Sequence, residues 1–246
     1  MAIPDILAVR LIETVSRNAL GGRFLMLGRQ DWIGKRRSKS AELLDKALEV
    51  YLPGVSEDDL RNTGDKYSET FFFKLGFETV DSLDYSGFEG ASIVQDLGGE
   101  LDPALEARFD VIYDGGTCEH VFDLPTAYRN IDRMLKPGGV LIAHSPANNW
   151  INHGFYQITP EIVYGFWSAA MGYEILHCEL QPLRPYAAEK VVTTTNPLLT
   201  GKRPRLKGKL DKGVPVILNY GVRKPEELRQ SENVAVKQTD YAKRWE

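Results

Sequence analysis

Two short apolar runs flank an amphipathic segment between Phe109 and Pro146. The runs Phe109–Tyr113 and Val140–His144 have the length and composition of buried strands. Residues 136–139, Lys-Pro-Gly-Gly, end the segment between them, because proline cannot continue a helix. Apolar residues recur in that segment at spacings of three and four, as on the buried face of a helix: Leu124, Ala127, Tyr128, Ile131, Met134 and Leu135. The pattern predicts a right-handed βαβ unit in a parallel sheet.

The rest of the hydrophobic pattern extends this unit to a larger α/β domain. Apolar or alternating runs predict five further strands, at Arg23–Leu27, Phe77–Leu83, Ser92–Gln95, Tyr173–Leu180 and Val214–Tyr220. Helical spacing predicts helices over 5–20, Ser40–Tyr51, Tyr67–Leu75 and Thr159–Ala170. Seven strands alternating with helices predict a doubly wound, mostly parallel sheet with helices on both faces.

The chain is predicted to be one domain with additions. Residues 1–224 form that domain, with insertions near 35–70 and 181–213, and 225–246 form a polar C-terminal tail. The second insertion is rich in basic residues: Arg184, Lys190, Lys202, Arg203, Arg205, Lys207, Lys209 and Lys212. Loops of this length are often functional, and positive charge near a site would attract an acidic acceptor. A solvated loop is an equally good interpretation.

Composition excludes several classes of protein. The 246 residues are 43% hydrophobic and 26% charged, which are ordinary values for a globular domain. No apolar run reaches the roughly 20 residues of a membrane span, and no secretory signal is recognisable. The net charge of −4 argues against nucleic-acid binding. Two cysteines, Cys118 and Cys178, give no disulfide framework, so we expect a cytoplasmic protein.

The segment from Phe109 to Pro146 closely resembles the fourth and fifth strands of class I S-adenosylmethionine-dependent methyltransferases. This resemblance implies a Rossmann-like sheet whose last strand is antiparallel, and a binding crevice at the carboxyl ends of the strands. It also implies that S-adenosylmethionine is the cofactor and that the protein is an enzyme of small-molecule biosynthesis. The oligomeric state is not indicated.

The resemblance assigns cofactor-binding roles to residues at successive strand ends. Gly28 corresponds to the first glycine of the family's turn, whereas Gln30 and Trp32 replace the other two glycines, so Arg29 or Gln30 would contact the methionine carboxylate. Asp84, with Tyr85, would bind the ribose hydroxyls, a role that dehydrogenases share. The other family positions lie near the adenine or the methionyl group: Asp96, Leu97, Asp114, Gly115 and Gly116.

Catalytic and acceptor-binding residues are expected in the loop that follows the fifth strand. His153 is the leading general base, since an imidazole titrates near neutral pH, and Tyr156, Asn149 and Asn152 would orient a polar acceptor. His153 could instead anchor the loop. The Glu119-His120 pair is common in one branch of the family, where a buttressing role is the simpler interpretation. No metal site is predicted, because the histidines lack a tight ligand spacing.

The predicted function is methyl transfer to a small molecule, with a sugar-like or natural-product hydroxyl as the expected acceptor. Two other classes remain open. The glycines missing at Gln30 and Trp32 would also suit a catalytically silent protein that binds a ligand or partner. A nicotinamide-dependent oxidoreductase is disfavoured, because the Gly-x-Gly-x-x-Gly turn is absent at Gly28.

Overall fold

A computed structural model shows an eight-stranded sheet with helices on both faces. The structure describes residues 2–34, 39–183, 190–206, 208–210, 212–227 and 235–242. The strands of the sheet, in spatial order, are β5 (Ile93–Val94), β4 (Phe77–Asp84), β2 (Gly22–Leu27), β6 (Phe109–Asp114), β7 (Leu135–Asn148), β10 (Val216–Arg223), β8 (Glu174–Pro182) and β9 (Val192–Thr193). The predicted α/β class is confirmed.

The strands from β5 to β7 are parallel, and the direction reverses at β10. β10 runs antiparallel to both β7 and β8, which confirms the antiparallel last strand. The seven predicted strands are all present, and β9 adds an eighth at the edge beside β8. A separate two-stranded sheet pairs β1 (Ala2–Ile3) with β3 (Asp31–Trp32). The three strands that the sequence pattern missed, β1, β3 and β9, have two residues each, which is too short for a hydrophobic period.

Alternation along the central strands divides the core between the two faces of the sheet. In β2, Phe24 and Met26 pack on one face, against α1 (Asp5–Arg17), α2 (Lys39–Tyr51) and α3 (Glu69–Lys74). Leu25 and Leu27 pack on the other face, against α4 (Leu124–Met134). The residues predicted for the buried face of α4 are buried, apart from Leu124, which is partly buried.

The last predicted helix differs in type from the expectation. Residues Ile162–Ala170 form a π-helix, whose wider turn carries buried Val163, Phe166 and Trp167. Two short helices follow, α5 (Pro197–Thr200) and α6 (Thr239–Ala242). The longest described helices have 13 residues, and none could cross a bilayer. Residues 184–189, 207 and 211 of the basic loop, and 228–234 and 243–246 of the tail, lie outside the described residues.

Candidate active site

The predicted cofactor residues come together at one edge of the sheet. Leu27, the last residue of β2, pairs with Leu83 of β4 and with Asp114 of β6. The Gly28 N–H donates to the Leu83 carbonyl at 2.7 Å, and a β-carbon at Gly28 would lie 4.0 Å from Asp84 Oδ2. Three parallel strands therefore end side by side, as the sequence predicts.

Asp96 lies at the same edge of the sheet, after the neighbouring strand β5. The Gln95 N–H donates to the Asp84 carbonyl at 2.9 Å, which places Asp96 beyond the end of β5. The Asp96 side chain is exposed, and its Oδ1 accepts from the Gly98 N–H at 2.8 Å. Leu97 is buried, whereas Tyr85 is 76% exposed. We call Gly28, Gln30, Asp84, Asp96 and Asp114 the cofactor edge.

Gln30 fills the space between two glycines of the cofactor edge. Its side chain is fully buried, and Nε2 donates to the Leu27 carbonyl at 2.9 Å. Oε1 has no hydrogen-bond partner among the described residues. A β-carbon at Gly115 would lie 2.7 Å from Gln30 Cδ and 2.9 Å from Tyr113 Cε1. Glycine is thus required at 115 because the Gln30 amide crosses the turn.

Arg29 is held by acidic groups of the chain. Its Nε lies 2.5 Å from Glu69 Oε1 and its Nη2 lies 3.1 Å from Asp65 Oδ2, while the guanidinium stacks on Tyr67 at 3.8 Å from the ring centroid. Charge-assisted hydrogen bonds to two carboxylates, together with the ring contact, fix the position of the guanidinium. Of the two side chains predicted to meet the cofactor's amino-acid tail, only Gln30 has an unused polar atom in the structure.

Asp114 organises the turn that follows β6. Its Oδ1 accepts from three successive backbone N–H groups, those of Gly116, Thr117 and Cys118, at 3.2, 2.7 and 3.3 Å. Oδ2 is buried without a described partner. Thr117, which the sequence did not single out, donates its hydroxyl to the Leu27 carbonyl at 2.6 Å and ties this turn to β2.

Glu119 lies directly after this turn, next to the loop that is predicted to bind the acceptor. It is fully buried, and its Oε1 lies 3.3 Å from His153 Nε2 and 3.7 Å from His120 Nε2. Burial, followed by the neighbouring charge of Asp114, raises the pKa of Glu119 to about 8. Burial, and then the neighbouring His153, lower the pKa of His120. We call Glu119, His120 and His153 the Glu–His cluster.

The loop after β7 is folded against Glu119 by its backbone. Phe155 and Tyr156 donate their N–H groups to the Glu119 carbonyl at 2.9 and 3.3 Å. The Tyr156 hydroxyl donates to the Phe122 carbonyl at 2.8 Å. A β-carbon at Gly154 would lie 2.8 Å from the Glu119 carbonyl oxygen, so only glycine allows this approach. Tyr156 therefore helps to hold the loop in place.

The two predicted acceptor-binding asparagines have different surroundings. Asn149 donates from Nδ2 to the Val214 carbonyl at 2.7 Å, and both Asn149 and Asn152 have left-handed backbone conformations, with φ of 60° and 67°. Asn152 is exposed. Within the predicted acceptor set, His153 lies at ion-pair distance from an ionisable side chain of the turn after β6.

A cavity of about 490 Å³ lies next to Tyr156. Its lining includes Leu124, Ile158, Phe166 and the tail residue Val236. Elsewhere, Arg203 of the basic loop is ion-paired with Asp240, so part of the predicted positive charge is neutralised within the chain. The cavity offers an apolar surface for a small molecule on the same side as the loop after β7.

A match to a known protein family covers part of this candidate site. Residues 79–143 match the family model described as a methyltransferase domain. The match covers about a quarter of the chain and agrees with the predicted family of S-adenosylmethionine-dependent methyltransferases. The matched segment of this methyltransferase runs from β4 into β7 and includes Asp84, Asp96, Asp114 and Glu119, whereas the Gly28 turn lies outside it. The predicted family, enzyme class and cofactor are confirmed, and the match does not identify the acceptor.

Solved structures resemble the methyltransferase more distantly. One is 1,6-didemethyltoxoflavin-N1-methyltransferase from Burkholderia thailandensis, with 15% identity, a TM-score of 0.46 and coverage of 90% of this chain and 80% of that chain. The YcgJ protein from Bacillus subtilis has 12% identity and a TM-score of 0.45, and the match covers 89% of this chain and 99% of that chain. TM-scores below 0.5 identify no reaction for this chain. The sequence has no significant match among curated proteins.

Proposed function

We propose that this methyltransferase transfers a methyl group to the hydroxyl of a small molecule, sugar-like or from natural-product biosynthesis. The observation that carries the proposal is the position of His153, a group able to accept a proton, beside the sheet edge that presents Gly28, Asp84 and Asp114. An imidazole on the acceptor side suits an acceptor that must lose a proton during methyl transfer.

The residues of the cofactor edge fit the parts of S-adenosylmethionine. The Asp84 carboxylate would accept hydrogen bonds from both ribose hydroxyls. The buried atoms Gln30 Oε1 and Asp114 Oδ2 have no described partner, and both are acceptors that suit the ammonium group of the methionyl tail. Gly28, with a φ of 67°, permits close approach of the backbone. Asp96 and Leu97 would adjoin the adenine.

The chain's own residues would provide orientation and proton removal. Bound S-adenosylmethionine supplies an electrophilic methyl group on a sulfonium, whose leaving group departs uncharged. Methyl transfer then depends mainly on holding the acceptor oxygen in line with that methyl group. His153 Nε2 faces Glu119, so Nδ1 would receive the hydroxyl proton. The contact with Glu119 would orient the ring.

The acceptor-side surface fits an organic molecule with an apolar part. Phe122 and Phe155 are 75% and 64% exposed and meet edge to face, with ring centroids 5.5 Å apart. Together with the cavity beside Tyr156, they would bind the apolar part, while Asn152 would contact a polar group. The basic loop, through Lys202 and Arg205, would favour an acidic or glycosylated acceptor.

Calorimetric titration with S-adenosylhomocysteine tests the cofactor assignment. Asp84→Ala should weaken binding at least tenfold, about 1.4 kcal/mol, because two hydrogen bonds to the ribose are lost. Asp102→Ala is the matched control, since Asp102 caps a short turn with one hydrogen bond to the Ala104 N–H. Equal affinity in the two variants would contradict the role of Asp84. No binding by the unaltered protein would favour the silent alternative.

Turnover tests the role of His153. Release of S-adenosylhomocysteine is followed across a panel of hydroxyl, amine and carboxylate acceptors. With the best hydroxyl acceptor, His153→Ala should lower kcat by about 100-fold, the usual contribution of a general base, and leave cofactor affinity unchanged. Turnover confined to amine acceptors, or unaltered in the variant, would contradict the proposal.

A further inference from the structure

The Glu–His cluster has the donor set of a metal site. Glu119 and His120 come from the turn after β6, and His153 comes from the loop after β7. One potential ligand atom from each of the three residues lies within 4.8 Å of the other two. Two imidazole nitrogens and one carboxylate oxygen are ligands that divalent transition metals prefer.

The carboxylate at the centre of the cluster has no hydrogen-bond partner among the described residues. Glu119 is fully buried, and neither of its oxygens accepts a hydrogen bond from a described residue. An ionised carboxylate without hydrogen bonds or a counter-charge is costly to bury. His153 and His120 contact Oε1 without a hydrogen bond, so Glu119 is aimed at the two rings and has unused acceptor capacity.

The distances within the cluster suit a small ion. With ligand bonds of about 2.1 Å, neighbouring ligands in a tetrahedral site are roughly 3.4 Å apart. Glu119 Oε1 lies 3.3 Å from His153 Nε2 and 3.7 Å from His120 Nε2. The two imidazole rings are 4.9 Å apart at their centroids. Small side-chain rotations would therefore bring all three donor atoms around one ion.

The surrounding structure fixes this arrangement and leaves one side open. Gly154 allows the loop backbone to reach the Glu119 carbonyl, and the Trp150 ring packs against His153 with centroids 4.9 Å apart. The side chains of His120 and His153 are 42% and 32% exposed, so an ion can enter from solvent. Three protein ligands with an open position are typical of a catalytic metal site rather than a structural one.

We propose that Glu119, His120 and His153 bind one divalent transition-metal ion through a carboxylate oxygen and two imidazole nitrogens. Binding to the resting protein needs neither cofactor nor acceptor. A functional consequence rests on the proposed function: an acceptor hydroxyl at the open position would become more acidic on contact with the ion. His153 is then a ligand in the metal-loaded protein and a base in the metal-free protein.

The test is titration of Co²⁺ into tag-free protein that has been treated with a chelator, followed by visible absorption and calorimetry. We expect one ion per chain, with the absorption of nitrogen-coordinated cobalt. Glu119→Gln and His153→Ala should each weaken binding at least tenfold. His177→Asn is the control, because His177 is a histidine outside the cluster that hydrogen-bonds Asn219. Thermal unfolding without metal checks that each variant is folded.

Two results would overturn the site. One is the absence of Co²⁺ binding at millimolar concentration, and the other is equal binding by all variants, which would indicate an adventitious surface ion only. Parallel titration with S-adenosylhomocysteine separates this proposal from the proposed function. Cofactor binding without Co²⁺ binding removes the metal site alone, whereas Co²⁺ binding without cofactor binding supports the metal site and contradicts the proposed function.

Discussion

The cofactor edge and the Glu–His cluster are adjacent but use their polar atoms differently. At the cofactor edge, Asp114 Oδ1 accepts three backbone N–H groups, and the Gln30 amide donates to the Leu27 carbonyl. In the cluster, Glu119 is buried with both oxygens free of described hydrogen bonds. The polar atoms of the cofactor edge therefore stabilise the turn that contains them. The Glu–His cluster instead holds a buried carboxyl group that needs a proton or a cation.

The contrast between the cofactor edge and the Glu–His cluster should have its largest effect on the pH dependence of the free energy of unfolding. The raised pKa of Glu119, about 8, means that the folded protein keeps this carboxyl protonated over a range in which the unfolded chain ionises it. Its stabilising contribution is present below pH 4.5 and is lost as the pH rises through 8. In Glu119→Gln this loss, on the order of 3 kcal/mol, should disappear.

Urea unfolding from pH 5 to 8 in the presence of a chelator measures this effect. Burial lowers the pKa of His144 to about 3, so its contribution to stability is lost as the pH falls below its ordinary pKa of 6.5; this loss is common to both proteins and cancels in the comparison. Parallel stability curves for the variant and the unaltered protein would show that Glu119 is ionised at neutral pH, and the contrast between the two regions would then fail.

Asp114→Ala should produce the next largest effect. Loss of the carboxylate leaves three backbone N–H groups without their acceptor in a buried turn, which should lower the free energy of unfolding by about 2 to 3 kcal/mol. Asp96→Ala is the control at the same edge, since exposed Asp96 accepts one bond, from the Gly98 N–H. Equal losses in chemical denaturation would contradict the role of Asp114 in the turn.

The sequence predicts the residues of the cofactor edge more completely than those of the Glu–His cluster, and the reason is physical. The strand ends follow from local hydrophobic runs, and parallel strands bring those ends together. Glu119 and His153 are distant in sequence and meet because the Gly154 backbone packs on the Glu119 carbonyl. No spacing rule encodes that contact. The π-helix was predicted as an α-helix, because one buried face of Val163, Phe166 and Trp167 suits either winding.

Gly154→Ala should move His153 away from Glu119, with a smaller loss in the free energy of unfolding than Asp114→Ala. The added methyl group would lie 2.8 Å from the Glu119 carbonyl oxygen, so the loop must move away. We expect a loss of about 1 to 2 kcal/mol in unfolding free energy and at least tenfold weaker Co²⁺ binding. Gly64→Ala is the control, because a β-carbon there meets nothing within 4 Å. Unchanged Co²⁺ binding in Gly154→Ala would show that this packing does not position His153.

The smallest effect is expected at Gln30, where the cofactor edge keeps an unused acceptor. Gln30→Leu nearly conserves volume but removes Oε1, so binding of S-adenosylhomocysteine should weaken about fivefold, close to 1 kcal/mol. Methylthioadenosine, which lacks the amino-acid tail, provides the matched ligand control and should bind both proteins equally. If the variant bound both ligands more tightly, Gln30 would be an obstruction. The glycine missing at this position would then weaken cofactor binding rather than be replaced by a functional side chain.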